Sequence, residues 1–308
     1  MNYSFNKQQY YDLLARLEQV MADHLFDPNI SHIDLGFRIR DTKNYKIENE
    51  LAIRVHVKEK LRGKEFERFS LKYPSRVIDS ERIGCAVDIP QVNYRLHYGT
   101  GFSYWFFRNR FNESGRSGFF DPMKGGISIA NEELSGFGTL GGKVRHLVTG
   151  DEFILSNWHV LAGSWYVKYR SVLQPARGDG GFYSQVVAEY SNDAMADNID
   201  AAIAKINGNR KLINEQLGIG KVTGVTSPKL GMVVVKSGRT SKVTKGIITG
   251  IPGQRIVRYD RYDRIVKHII HIAPLESGGT VSSPGDSGSW WLEESTKKAV
   301  ALHFAGSN

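Results

Sequence analysis

The 308-residue sequence has a single cysteine, Cys85. One thiol excludes an internal disulfide framework and suits a reducing compartment, where a buried structural role is the ordinary use of a lone cysteine. No apolar run approaches the roughly 20 residues that span a membrane as a helix. The N-terminus, Met1-Asn2-Tyr3-Ser4-Phe5-Asn6-Lys7, lacks the apolar stretch after a basic start that directs secretion. These absences together predict a cytoplasmic protein with no membrane role. Clusters at metal-ligand spacing are also missing: His32 and His56 read as solvent-facing or packed histidines, and neither a metal nor a cofactor is expected. Charge, by contrast, is plentiful, with 41 Lys and Arg against 32 Asp and Glu, a formal net charge of +9. Such a balance favours contact with acidic surfaces, nucleic acid included. The basic residues are scattered among acidic ones without a recognisable nucleic-acid motif, which argues against nucleic acid as the partner.

What is present is the composition of an ordinary globular protein, 41% hydrophobic and 24% charged, in a chain long enough for two domains. Residues 1–95 predict a small α+β domain with a docking or regulatory role. Tyr10, Leu13, Leu14, Leu17, Val20, Met21 and Leu25 recur at helical spacing. Ile33–Ile39 and Leu51–Val57 alternate like two half-buried strands joined as a hairpin or small meander. Lys58–Phe69 has the charge density of an exposed helix, and Cys85–Ile89 reads as a short strand. Residues 96–134 form a connection rich in aromatics, Arg and Gly, including Tyr98, Phe102, Trp105, Phe107, Phe111 and Phe119, and so many rings predict a packed segment.

From residue 135 onward the texture changes to short β-type runs divided by Gly and polar turns, among them Phe153–Leu155, Val186–Ala188, Met232–Val235, Gly246–Ile248, His268–Ile272 and Val300–Phe304. Evenly spaced short strands imply an all-β barrel or sandwich. Near its end stands Ser282-Ser283-Pro284-Gly285-Asp286-Ser287-Gly288-Ser289. A Gly-rich turn of this kind can project Ser287 Oγ while the N–H groups of Gly285 and Ser287 converge on one point, the local chemistry of a nucleophile beside an oxyanion hole. An ordinary Gly-rich turn is the alternative reading of the same residues. Upstream, Ser156-Asn157-Trp158-His159-Val160-Leu161 places a His just after an apolar strand, and Asp200-Ala201-Ala202-Ile203 places an Asp at the mouth of another. Asp197 is close enough to be the alternative acid.

In the order His159, Asp200, Ser287, these motifs resemble those of the chymotrypsin-like (trypsin-like) serine peptidases. More narrowly, residues 136–307 resemble the intracellular trypsin-like domain of bacterial proteins and of the plant NARROW LEAF type. Phe137-Gly138-Thr139-Leu140-Gly141-Gly142, Leu173-Gln174-Pro175, Lys236-Ser237-Gly238-Arg239-Thr240 and Phe304-Ala305-Gly306-Ser307 carry that likeness. The resemblance implies a mainly β protein, a chymotrypsin-like double β-barrel over residues 135–308 behind the small α+β domain. It implies His159 as general base, Asp200 as its orienting acid, Ser287 as nucleophile and the Gly285 and Ser287 amides as oxyanion hole, acting on a protein or peptide substrate. It also implies a specificity pocket shaped by Val281, His303 and Phe304, with Val281 at the floor arguing against a strict preference for Arg or Lys.

Two departures accompany the resemblance. With a leading domain in front of the barrel, Asp286 is expected to find an internal cation or hydrogen-bond donors, Arg239 being one candidate. The family continues past the strand matching Ala299–Phe304 with a further strand and helix that the 308 residues lack. A second polypeptide or homo-oligomer completing the C-terminal barrel is therefore one expectation. Two functions stay open: a cytoplasmic, bacterial serine endopeptidase, or a catalytically silent or partner-activated scaffold of the same fold.

Overall fold

The computed structural model describes residues 5–41, 46–99, 115–259, 261–276 and 278–307. Of the aromatic connection, Phe102, Tyr104, Trp105, Phe106, Phe107 and Phe111 lie outside the described residues. Phe120, within them, packs on the core of the second half, whereas Phe119 is exposed beneath the Arg210 guanidinium.

The chain opens with a helix, Lys7–His24, whose N-terminus is capped by the Asn6 side chain accepting from the Gln8 amide at 2.8 Å. Its helical stripe of Leu13, Leu17, Val20 and Met21 is buried against Ile33, Leu35, Ile53 and Val55 of a hairpin. Each such side chain contributes at most about 1.5–3 kcal/mol by leaving water. The hairpin strands, Ile30–Asp41 and Lys46–Val57, are antiparallel, with Ile33 opposite Val55 and Leu35 opposite Ile53. The expected exposed helix begins late, at Gly63, and runs to Lys72. Lys58 and Glu59 are first held by the Asn29 backbone carbonyl and side chain, which extends the strand end and delays the helix. The strand expected at Cys85–Ile89 contracts to Val87–Asp88, parallel to Lys46–Val57.

The hairpin does not stand apart from the second half. Ile30–Asp41 pairs antiparallel with the long strand Lys242–Tyr259, and Gly36 lies opposite Gly250 at the crossing. Glycine is required there: a Cβ on Gly36 would lie 2.2 Å from the Thr249 carbonyl oxygen, and one on Gly250 1.9 Å from the Arg54 guanidinium. That sheet continues from Lys242–Tyr259 through Val233–Gly238, Trp290–Glu293 and Lys298–Leu302, with Tyr262–Pro274 folded onto Lys242–Tyr259.

A second sheet runs in the order Ser128–Asn131, Ser171–Leu173, Val186–Asp193, Ala202–Ile206, Glu152–Ser156 and Gly142–Arg145. It curls until its ends meet, the Gly126 amide donating to Leu140 O and the Leu140 amide to Ile127 O, both at 2.8 Å. Ile129, Leu140, Ile154, Val172, Val187 and Ala204 fill its interior. The molecule is thus mainly β, two curled sheets behind a small helix-containing unit, as the resemblance implies. The two curled sheets face each other across a cleft lined in part by Asp200, Val281, His303 and Phe304.

Candidate active site

Strands Glu152–Ser156 and Ala202–Ile206 are antiparallel neighbours with Ser156 opposite Ala202. The residues just past the first and just before the second therefore emerge at the same end of the sheet. There the short helix Trp158–Leu161 presents His159, and Asp200 meets it: His159 Nδ1 is 2.5 Å from Asp200 Oδ2, and the His159 amide donates to Oδ1 at 3.3 Å. The Tyr259 hydroxyl donates to the same Oδ2 at 2.8 Å, and Asn157 Nδ2 donates to the Asp200 backbone carbonyl at 2.7 Å. Burial, reinforced by the Asp200 charge, raises the Tyr259 pKa, so its phenol stays a donor. A carboxylate accepting from Nδ1 assigns the tautomer that leaves the Nε2 lone pair free to act as a base. Asp197 is exposed, and Asp200 is the acid that the fold brings to His159.

Ser287 comes from the other sheet, on the turn that leads into Trp290–Glu293. Gly285 and Gly288 have φ values of +102° and +97°. A Cβ at Gly285 would meet Thr240 Oγ1 at 2.3 Å, and one at Gly288 would meet Ser156 Oγ at 2.0 Å, so both conformation and space demand glycine. The turn is tied to the sheet that carries His159 and Asp200 by the Thr139 amide, which donates to Ser287 O at 2.7 Å. As the motif predicts, the Gly285 and Ser287 amides converge. Their shared acceptor is the main-chain carbonyl oxygen of His97, which lies 3.3 Å from the Ser287 nitrogen. The Ser287 hydroxyl donates to Phe304 O at 3.0 Å, while His159 Nε2 is buried with no hydrogen-bond partner among the described residues. Ser287 and His159 thus both lie beside the His97–Tyr98 segment, and the Ser287 hydroxyl is turned to Phe304 O rather than to His159 Nε2.

Asp286 is fully buried, and its cation is Lys236 rather than Arg239. Lys236 Nζ reaches Asp286 Oδ2 at 2.9 Å, joined by the amides of Thr240, Ser241 and Ser283 and the Ser241 hydroxyl. Burial alone would raise the Asp286 pKa. The Lys236 charge and these hydrogen bonds outweigh it and hold the carboxyl below its usual range. Arg239 turns instead to Asp179, pairing through both Nε and Nη2.

His303 and Phe304 lie beside the cleft, the His303 ring 3.3 Å from the His97 ring between Nε2 and Nδ1, and Phe304 through its carbonyl. Val281 packs with Val234, Ile248 and Trp291, its carbonyl accepting from Thr244 Oγ1 at 2.7 Å. His32 and His56 turn out to share a carboxylate after all. Asp34 Oδ2 is 3.2 Å from His32 Nε2, and Asp34 Oδ1 is 3.4 Å from His56 Nε2. The trio has the spacing of a metal site, but the Arg54 guanidinium already spans both Asp34 oxygens, so the carboxylate is neutralised by an ion pair. Burial outweighs the opposing hydrogen bond and charge of Asp34 and pushes His56 down to about 3.

Sequence reasoning missed Tyr259, Lys236 and His97. Lys236, an isolated charge in Val233-Val234-Val235-Lys236, was the one legible signal, because a lysine in an apolar run implies a buried partner. His97 acts through its backbone, which leaves no trace in residue type.

No protein-family model and no curated protein matches the chain. Among solved structures, it is similar to a glutamic-acid-specific serine protease that uses a histidine triad in substrate binding, at 18% identity and TM-score 0.41 over 59% of this chain and 84% of that one. It is also similar to a Nocardiopsis protease, at 17% identity and TM-score 0.42 over 58% and 83%. For a Cellulomonas bogoriensis chymotrypsin the figures are 20%, 0.40, 59% and 82%. At such scores the likeness decides nothing about chemistry, which rests on the residues in the cleft.

Proposed function

We propose that the chain is a serine endopeptidase of the intracellular trypsin-like type found in bacteria, hydrolysing peptide bonds through an acyl-enzyme on Ser287. The observation that carries this reading is the convergence of the Gly285 and Ser287 amides on one carbonyl oxygen, with the His159–Asp200 pair beside it. A carbonyl seated there would be attacked by Ser287 Oγ as His159 Nε2 takes the hydroxyl proton. The two amides would hold the oxyanion, and Asp200, fixed by Tyr259, would stabilise the imidazolium. His159 then protonates the leaving amine, and water releases the acyl group. Val281, His303 and Phe304 are the residues proposed to shape the pocket for the side chain preceding the cleaved bond.

The scaffold reading draws on the Ser287–Phe304 hydrogen bond and the unpartnered His159 Nε2. A Ser287 side-chain rotation that exchanged this contact for His159 would make the arrangement latent rather than inert. Hydrolysis of peptide substrates by wild type, Ser287→Ala and His159→Ala separates the two. The peptidase reading expects each substitution to lower kcat by about 10⁴-fold or more. Undiminished hydrolysis by Ser287→Ala would sink it.

A further inference from the structure

We infer that the first peptide bond this active site cleaves is the chain's own His97–Tyr98 bond. This rests on the peptidase reading. The segment from Tyr94 to Gly99 lies through the cleft in the manner of an extended substrate, hydrogen-bonded on both sides of that one bond. Upstream, Tyr94–Leu96 pairs antiparallel with Ala305–Ser307, with Leu96 opposite Ala305 and Arg95 opposite Gly306. The His97 amide donates to Phe304 O at 3.1 Å. Downstream, Gly99 and Phe137 exchange two backbone hydrogen bonds, each of 2.9 Å. Adding a strand to a sheet edge in this way is how proteins bind extended peptides.

The scissile position is marked by the His97 carbonyl oxygen, which occupies the point where the Gly285 and Ser287 amides converge. The carbonyl carbon, about 1.2 Å from that oxygen, is held next to the serine whose own amide binds it. The His97 ring is buried against Gly306, where a Cβ would lie 2.2 Å from its Cε1, and against His303, so the pocket preceding the bond is filled. On the other side of the bond, the Tyr98 ring stands edge-on to His159 with centroids 6.0 Å apart.

The segment is also anchored. The Tyr94 hydroxyl bridges His56 Nδ1 at 3.0 Å and His271 Nε2 at 2.9 Å, and Arg255 donates to the Tyr94 carbonyl at 2.9 Å. The hairpin network around Asp34 therefore fixes one end of the strand that enters the cleft. Holding a bond in place this way replaces a bimolecular encounter with a unimolecular one.

The step balances with water as the only co-reactant. Ser287 Oγ adds to the His97 carbonyl carbon, and its proton passes to His159 Nε2. The tetrahedral oxyanion, held by Gly285 and Ser287, collapses and breaks the bond to the Tyr98 nitrogen, which takes the proton from His159 and leaves as an amine. Water then hydrolyses the His97–Ser287 ester, leaving a His97 carboxylate and a free Ser287.

Intact-mass measurement and N-terminal sequencing of freshly purified full-length wild type and Ser287→Ala test this. Wild type is expected to convert to residues 1–97 and 98–308, the larger piece beginning at Tyr98, at a rate unchanged by dilution. The pieces should separate only under denaturing conditions, because Ile30–Asp41 remains paired with Lys242–Tyr259. Ser287→Ala should stay whole, and Tyr98→Pro, which replaces the leaving amine with a ring nitrogen, should not be cut at this position. If wild type stays whole yet hydrolyses added peptides, the inference is overturned while the peptidase reading stands. If it does neither, both fall. Equal cleavage of Ser287→Ala would assign the cut to another protease and likewise overturn the inference.

Discussion

Asp286 and Lys236 are both fully removed from solvent, and each is the other's counter-charge. Neither could be buried alone at an acceptable cost in free energy. Because Asp286 lies between the two amides of the candidate oxyanion hole, the pair links the stability of the turn to its chemistry. Lys236→Met is expected to destabilise the protein by about 3–5 kcal/mol at neutral pH, since it leaves an uncompensated buried carboxylate. The sign with pH follows from the lowered Asp286 pKa. The contribution of the pair is fully present above the ordinary carboxylate value of 3.8 and is lost as pH falls through the lower folded-state value. Urea titrations of wild type and variant should accordingly converge on acidification, and a gap that widened at low pH would contradict the assignment. At this scale the pairing of His159 with Asp200 and the glycine-bounded turn at Ser287 were legible, because each residue stands beside an apolar run at a recognisable spacing. Lys236 was legible only as a lone charge in an apolar run and Tyr259 not at all, because their partners lie 50 and 59 positions away and only strand register brings them together.

Among the elements, the long strand Lys242–Tyr259 does the most to join the molecule, pairing along one edge with Val233–Gly238 and then with the leading hairpin, and along the other with Tyr262–Pro274. Its approach to the hairpin depends on Gly36 and Gly250, above which Arg54 reaches Asp34. Gly250→Ala should force Arg54 from its carboxylate. The expected cost is about 1–3 kcal/mol from overpacking, with the hairpin amides losing hydrogen-exchange protection before those of Ser128–Asn131. Uniform loss of protection would show that the crossing is not a local weak point. The alternation of Ile33–Ile39 and Leu51–Val57 predicted the two strands, though as half-buried ones, whereas both of their faces are covered. It gave no sign that the hairpin would join a sheet from the other half, since the edge that pairs with Lys242–Tyr259 consists of main-chain groups common to every sequence. The i, i+2 spacing of His32 and Asp34 does put them on one strand face, and it is a signal that was readable.

At the scale of the whole molecule, the leading unit and the two curled sheets meet at the segment Tyr94–Gly99, which ties the hairpin's buried histidines to the candidate oxyanion hole. The resemblance anticipated the mainly β architecture of two curled sheets. What fills the cleft could not be read, because the occupant is recognised by backbone hydrogen bonds and by its distance from the hairpin, not by residue type. The central claim is that Ser287 is a nucleophile served by His159. Treatment with a fluorophosphonate, followed by mass-spectrometric mapping of the modified peptide, tests it most directly. The account predicts one adduct, on Ser287, present in wild type and absent from Ser287→Ala. Equal modification of the two proteins, or none in wild type either whole or cut, would contradict it.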